Sequence, residues 1–550
     1  MTEQSYQLST FHGGLKLDGH KTMSITSPVG KTCLPAQIVI PLHQHIGDSG
    51  ELLVNPGDRV LKGQALTQPS SYVSAPVHAS TSGTVIEISD HKIPHPSGLS
   101  APCIVIETDG KDEWIDLKPV KDFQQLDATE LRNLIRQAGI VGLGGAAFPT
   151  AVKLNPGPDH NIETVIFNGA ECEPYITCDD MLMRERASEI ISGIQISLHA
   201  LNTDQGIIAV ESNKPEAIGA LKQAIKKSGL TNIQVTSIPT LYPTGGEKQL
   251  IKVITGKEVP TNGLPADIGI IVQNVGTMAA IHHAIHFGKP LISRIVTVTG
   301  KGIKKPRNLE TLIGTSMTEL IEECGGYKDT ASHLIMGGPM MGLALDTDKL
   351  PVIKGCNCLL VEPEINVFNP RATMPCIRCG ECTRVCPASL LPQQLYWYAS
   401  SKNFDKVQDY HLFDCIECGC CAYVCPSKIP LVQYYRFAKT EIWNLERERQ
   451  KSDHARMRHD FRQARLEKEK QEKEERLRKK KEILARKKQQ EQANNTDADP
   501  KKEAIEAALA RVKAKKEQAG FQPKNTENLT SEQQKLIEEA ERRRQQSKIE

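Results

Sequence analysis

The sequence predicts a multidomain α/β chain. It is expected to hold an N-terminal barrel-sandwich-like β module, an α/β domain on a parallel sheet, a small β-grasp-like domain, a mostly helical cysteine-rich domain and a charged tail. Three observations predict this. The chain has 550 residues, too many for one hydrophobic core. Near residue 125 the pattern changes from short β-rich runs broken by Gly, Pro and Asp to alternating helical and strand periods. Finally, the dodecamer CIRCGECTRVCP at 376–387 returns as CIECGCCAYVCP at 415–426.

Composition narrows the function classes. The formal net charge is only +2, so no global charge argument points to nucleic acid as a partner. Charge is concentrated in the last hundred residues instead. No apolar run reaches the ~18 residues a membrane-spanning helix needs. The opening MTEQSYQLSTFHGGLKLDGHK lacks an apolar signal core, so export is not expected. In such a chain sixteen cysteines read as metal ligands before disulfides.

Taken in order, residues 1–35 are a leader and 36–112 the β module. VNPGDRVLKGQAL and APVHASTSGTVIEI resemble the half-motifs of lipoyl and biotinyl domains. The hairpin tip TQPSSYVS (67–74) has no lysine, which implies a structural or docking module rather than a swinging arm. The α/β domain covers 113–261. Asp127 and Glu130 make an N-cap pair and Gly139 a helix stop. Strands are expected at 164–169, 206–210 and NIQVTSI, and helices at 181–201 and from Pro215. This alternation argues for a parallel sheet. Residues 262–345, with GIIVQNV, RIVTVTG and a helix at 316–324, fit a small α+β domain. A linker (346–370), the cysteine domain (371–440) and the tail (441–550) follow. The tail reads as a solvated helix or a disordered segment interrupted by NNTDADP, with partner or lipid-headgroup docking as its other reading.

Each dodecamer has the spacing C-x2-C-x2-C-x3-C-P. In two-cluster ferredoxins the first three cysteines hold one [4Fe–4S] cluster and the fourth ligates the other. Cys376, Cys379, Cys382 and Cys425 then form one ligand set, and Cys415, Cys418, Cys421 and Cys386 the second. Thiolates suit soft iron–sulfur iron. Zinc ordinarily uses two separated C-x2-C pairs, a looser match. Cys420 reads as a packing thiol, and Cys356 and Cys358 as buried thiols.

Four loops in the α/β region carry the remaining chemistry. In GLGGAAFPTAVKL (142–154), Gly142, Gly144 and Gly145 let main-chain N–H groups approach an anion, and Lys153 adds a point charge; a plain tight turn is the other reading. FNGAECEPYITCDD (167–180) follows a strand and brings Glu171, Glu173, Asp179 and Asp180, suited to hydroxyls or a nicotinamide-ribose, or simply solvated. YPTGGEKQLI (242–251) offers Glu247 at a helix start, and VQNVGTM (272–278) offers Asn274 and Thr277.

In this order the four loops resemble the NADH- and FMN-binding flavoprotein subunit of respiratory complex I. The resemblance implies that Gly142, Gly144, Lys153, Asn168, Glu171, Gly245, Asn274 and Thr277 line FMN. It implies that Phe148, Glu173 and Glu247 face the nicotinamide nucleotide. Leu143, Ala170 and Gly246 depart from that family's arginine, aspartate and glutamate, and bear more on the nucleotide than on the flavin. The whole domain order, to about residue 440, is similar to the RnfC family of Rnf ion-translocating electron-transport complexes. That likeness implies a complex I flavoprotein-like α/β domain, an SLBB-type β-grasp and a two-[4Fe–4S] ferredoxin-like domain. It implies an NADH-linked translocase subunit, peripheral on the cytoplasmic face of the bacterial inner membrane, that works with other subunits including an iron–sulfur one. Two rivals are a soluble flavin and iron–sulfur diaphorase and a non-enzymatic iron–sulfur relay.

His282 and His286 share one helix face beside His283 but lack the glutamate of H-E-x-x-H, so they read as ordinary helix histidines. GGPMMG (337–342) reads as a turn with packing methionines. No nucleophile, base and orienter converge, so no catalytic side chain is assigned.

Overall fold

The computed structural model describes residues 8–363, 373–493 and 501–518. The chain divides into two units, Met1–Glu446 and Arg447–Glu550.

In the first unit, Gln37–Pro41, Ser100–Thr108, Gly83–Lys92 and Arg59–Val60 form one antiparallel sheet in that order. Alternating side chains such as Ile38, Ile40, Ile104 and Ile106 fill its core. The lysine-free tip is engaged rather than swinging: Arg136 donates to the Ser71 carbonyl, and Asn155 donates to the Tyr72 hydroxyl over 2.8 Å.

The α/β domain holds a four-stranded parallel sheet in the order Ile233–Ile238, Gly206–Glu211, Thr164–Gly169, Ile270–Asn274. Gly206–Glu211 is buried throughout, as a strand covered on both faces must be. Asp127 accepts from the N–H groups of Thr129 and Glu130, and Glu130 returns the bond to complete a capping box. The expected helix at 181–201 is two helices, Cys178–Glu185 and Ala187–Leu201. Arg186 breaks it, its side chain reaching Glu310 at 2.6 Å.

The next sheet is mixed, with strands Gly30–Lys31, Arg307–Leu312, Ser293–Thr299, Cys358–Glu362, His333–Met336 and Leu343–Leu345 in spatial order. Helix Met317–Glu323 packs beside it. Its limits differ from those expected. Residues 262–287 belong to the parallel sheet, because Ile270–Asn274 finds its partner in Thr164–Gly169. The expected linker contains the strand Cys358–Glu362, paired on both sides. The leader adds an edge strand at Gly30–Lys31. The remainder of the linker, 364–370, lies outside the described residues.

Three domains meet at buried Lys354. Its ammonium donates to the carbonyls of Pro76 (2.8 Å) and Gly139 (2.7 Å), and its N–H donates to Gln44 Oε1. Burial lowers Lys354 to about 7. Nearby His78 is also buried, and burial together with Lys354 lowers it to about 3 from 6.5. A depressed folded pKa means that stability present above pH 6.5 is lost as pH falls toward 3, because the unfolded chain takes up a proton the folded one refuses. The slope is on the order of 1.4 kcal/mol per pH unit at its steepest. The melting temperature should fall between pH 6.5 and 4, and less steeply in His78→Gln.

In the cysteine domain, short helices Glu381–Arg384 and Cys420–Tyr423 flank Pro392–Ser400 and Phe404–Asp409. Leu395, Ala399, Val407, Leu412 and Tyr435 form its core.

The helix Leu431–Ala493 supplies most of what is described of the second unit, followed by Lys501–Gln518. The described side chains of this unit are solvent-exposed, and pairs such as Glu475–Lys479 and Arg478–Glu482 support the helix at i,i+4 spacing. NNTDADP and residues 519–550 lie outside the described residues. Among the described residues no helix is long and apolar enough to cross a membrane.

Candidate functional site

The two cysteine repeats fold alike. Arg378 and Glu417, each two residues after the first cysteine of its repeat, both have φ of 58°. Their N–H groups each lie 3.4 Å from that cysteine's sulfur. The first repeat then bends so that Cys376, Cys379 and Cys382 line one cavity together with Cys425 from the second repeat. Cys415, Cys418 and Cys421 line another together with Cys386 from the first. Each cavity thus gathers the three evenly spaced thiols of one motif and the last thiol of the other, and Cys420 also lines the second cavity. Burial pushes Cys415 up to about 12 and raises Cys421, so these thiols hold their protons unless a metal replaces them. Cys420 is buried and bonds to Cys418 at the wall of the second cavity. Cys356 and Cys358 are fully buried. Lys439 donates to the Cys415 carbonyl and to Glu417, which Arg436 also meets.

The glycine loop sits at the C-terminal end of the parallel sheet. Gly142 N–H donates to the Phe148 carbonyl and Leu143 N–H to the buried Thr277 hydroxyl, which fixes both ends of the turn. Between them, the N–H groups of Gly144, Gly145 and Ala146 make no hydrogen bond within the described residues, and all three residues are exposed. A Cβ on Gly145 would meet nothing within 4 Å, and one on Gly144 would stop 3.4 Å from Asn274. Asn274 caps helix Val275–Phe287 by accepting from Gly276 N–H, and donates to Asp179 over 2.7 Å. The result is an open cradle of unused N–H groups facing a helix N-terminus, which suits an anion.

The other expected residues gather around it. Asn168 donates to the Gly245 carbonyl over 2.8 Å. Lys153 pairs with Glu247 and donates to the Val272 carbonyl, so its charge is already matched. Glu171 accepts from the N–H of Asp179 (2.7 Å) and Asp180. Burial pushes the Glu171 carboxyl up to about 8, against the opposing pull of Lys21. Glu173 accepts from Met340 and Met341 N–H at 2.7 and 2.9 Å. GGPMMG is therefore a turn that anchors Glu173 as well as packing methionines. The three histidines are ordinary helix contacts: His282 and His286 meet Ser192, and His283 meets Glu189.

Several residues escaped the sequence reading. Lys21 reaches from the leader to donate to the carbonyls of Glu171, Glu173 and Ile176. Lys214 and Glu211 form a fully buried pair at 2.7 Å, with Lys214 also holding the Ala170 carbonyl. The i,i+3 spacing of Glu211 and Lys214 at a strand end was the only available signal. Tyr242 donates to the Cys418 carbonyl over 2.6 Å, joining the 242–251 loop to the cysteine domain. A separate cavity of about 450 Å³ lies behind Leu143 and Gly276, with Arg186, Lys289, Arg294 and Trp114 in its wall. Of the acidic residues of the 167–180 loop it takes in Asp179, and it includes none of the glycines of the cradle at 142–145.

Comparison with known proteins follows this division. Four family profiles match: the RnfC barrel sandwich hybrid domain at residues 9–111, the Nuo51 FMN-binding domain at 135–283, the SLBB domain at 295–344 and the 4Fe-4S dicluster domain at 375–429. A Vibrio cholerae relative, described as the C subunit of an ion-translocating oxidoreductase complex, is 48% identical over 94% of this chain and 65% of its own length. The chain thus spans a little under two thirds of that relative. A Haemophilus influenzae relative of the same description is 46% identical over 97% of this chain and 78% of its own. A solved NAD+-reducing [NiFe]-hydrogenase is similar over 60% of this chain and 64% of that one, at 17% identity and a TM-score of 0.40, too remote to bear on function.

Proposed function

The chain belongs to the RnfC family, the C subunits of ion-translocating oxidoreductase complexes, and on that premise we propose that it carries electrons between a nicotinamide nucleotide and other subunits of a membrane complex, through FMN and two [4Fe–4S] clusters. The observation that carries this reading is the pair of crossed cysteine cavities, found in one chain with the open glycine cradle.

The residues present fit FMN. The free N–H groups of Gly144, Gly145 and Ala146, with the helix N-terminus at Asn274, would take its phosphate. Asn168, Glu171, Gly245 and Thr277 stand around the same cradle. FMN, when bound, takes an electron pair and releases it singly, the adaptor that a nicotinamide and one-electron clusters require. Glu171, raised toward its neutral form by burial, would keep a proton near neutral pH and could present an O–H to a bound flavin. Glu247 and Phe148 flank the approach expected for the nicotinamide nucleotide, while Glu173 orders the turn beside it.

The thiols fit iron–sulfur clusters by number, by type and by the N–H groups directed at Cys376, Cys386 and Cys415. The Cys386, Cys415, Cys418, Cys421 cage lies on the flavoprotein side, where Cys418 packs with Tyr242 and Cys172. Cys172 in turn sits 3.0 Å from where a Gly245 side chain would begin. The other cage opens outward: Cys379 is exposed beside Ile377 and Met374, 67% and 64% accessible. Electrons would therefore enter at the first of these cages and leave at the second. The complex partners would be membrane subunits, including an iron–sulfur one, and this chain would sit against the cytoplasmic face of the inner membrane.

The test is anaerobic purification of the full chain with flavin and iron quantified, followed by NADH titration. Flavin absorbance should bleach and the clusters should then reduce. Full iron with no flavin would favour a relay without flavin, and flavin and iron that NADH leaves oxidised would remove the nicotinamide from the scheme.

A further inference from the structure

The segment Phe11–Leu15 crosses from the α/β domain to the cysteine domain as a strap. Ser9 N–H donates to the Val253 carbonyl, and Leu15 and Tyr242 exchange backbone hydrogen bonds at 2.7 and 2.9 Å. At the far side Gly14 N–H donates to the Val385 carbonyl over 3.1 Å. Gly13 has φ of 72° and no room for a side chain, since a Cβ would fall 2.5 Å from the Val385 carbonyl carbon. The strap therefore presses on the turn that leads into Cys386. His12 Nδ1 lies 3.0 Å from the Cys386 carbonyl oxygen, which can only accept, so the ring N–H donates. On the same cage, the Tyr242 hydroxyl donates to the Cys418 carbonyl over 2.6 Å. Neither the strap, His12 nor Tyr242 belongs to the dicluster match at 375–429.

We propose that His12 and Tyr242 are positioning residues for the cage of Cys386, Cys415, Cys418 and Cys421: each donates a hydrogen bond from outside the cysteine domain to the main chain of one ligand. The proposal rests on the reading that this cage holds an iron–sulfur cluster. Cys418 is thus held directly to the α/β domain through Tyr242, and Cys386 to the leader strap, which is itself bonded to that domain at Val253 and Tyr242. The second cage, lined by Cys376, Cys379, Cys382 and Cys425, has no such contact from that domain among the described residues. The cage nearer the flavin loops is oriented by the domain that feeds it, so its ligand geometry and its distance from the cradle are set together. Outer groups that orient ligands change a metal centre's affinity or activity by about 10- to 100-fold when lost.

The test uses the full chain prepared anaerobically. Cys379→Ala removes the other cage's signal and so assigns the electron paramagnetic resonance spectrum that remains. In that background and in the wild type, Tyr242→Phe and His12→Ala should keep iron and flavin at the parent's level. They should nonetheless shift the g-values and reduction potential of the assigned cluster, leave the other cluster unmoved, and slow flavin-to-cluster transfer about tenfold. His12→Asn, which retains a side-chain N–H, should restore part of the effect. Unchanged spectra and potentials in both variants would overturn the proposal, as would equal shifts in both clusters, which mean a general loosening. Absence of iron in the parent protein would strike the cluster reading instead.

Discussion

Replacing Cys425 by alanine is expected to empty the cavity lined by Cys376, Cys379 and Cys382, and to spare the one lined by its sequence neighbours Cys415, Cys418 and Cys421. Iron in the anaerobic protein should fall by about half, because the four thiolates of one cage together hold one cluster. Cys379→Ala should remove the same half, and the double variant should lose no more, since both substitutions act on one centre. Cys386→Ala should remove the other half, although Cys386 sits in the first dodecamer. Flavin should stay at the wild-type level in all of these, because the glycine cradle uses no part of the cysteine domain. Iron analysis and resonance spectra decide the matter. A Cys425 variant that resembles Cys421→Ala instead would show that each repeat fills its own cage.

Gly144→Leu should abolish flavin retention and leave iron unchanged. The Gly144 backbone is not in the left-handed region, so the turn itself tolerates a side chain. Its Cβ, however, would already stand 3.4 Å from Asn274, across the gap where the unused N–H groups converge. A branched leucine would fill that gap. The loop stays fixed by the Leu143–Thr277 and Gly142–Phe148 hydrogen bonds, so the protein should fold with a melting temperature near that of wild type. Flavin released on denaturation, measured by fluorescence against protein, should drop by at least tenfold if the cradle loses a phosphate contact and its space, about 1.4 kcal/mol or more of binding. Flavin retained at the wild-type level would move the flavin away from this loop.

Much of this was legible because the signals were local. The doubled C-x2-C-x2-C-x3-C-P register carries its own geometry, and Asp127 with Glu130 carries its own cap. The period-two and period-3.6 stretches located the strands Thr164–Gly169, Gly206–Glu211 and Ile233–Ile238 and the helices Ala128–Gln137 and Pro215–Ser228. What escaped depended on partners distant in sequence. GIIVQNV reads equally well as a strand of either neighbouring sheet, and only its pairing with Thr164–Gly169 assigns it. CNCLLVE is short and apolar, and becomes a strand because two others flank it. The leader looked featureless because Lys21, His12 and the Gly13–Gly14 pair act on backbone carbonyls, which leave no complementary residue to find. For the same reason, Glu173 could be marked as an acidic ligand candidate but not as the anchor of a turn more than 160 residues away.

Because Cys425 closes the cage that Cys376 opens, a chain emerging from the ribosome cannot complete that iron-binding pocket until the whole cysteine domain has been translated. The α/β domain, with Tyr242 and the strap, is by then already synthesised. The pocket is thus among the last parts of the described chain whose residues are all in place, after every residue of the glycine cradle has been made.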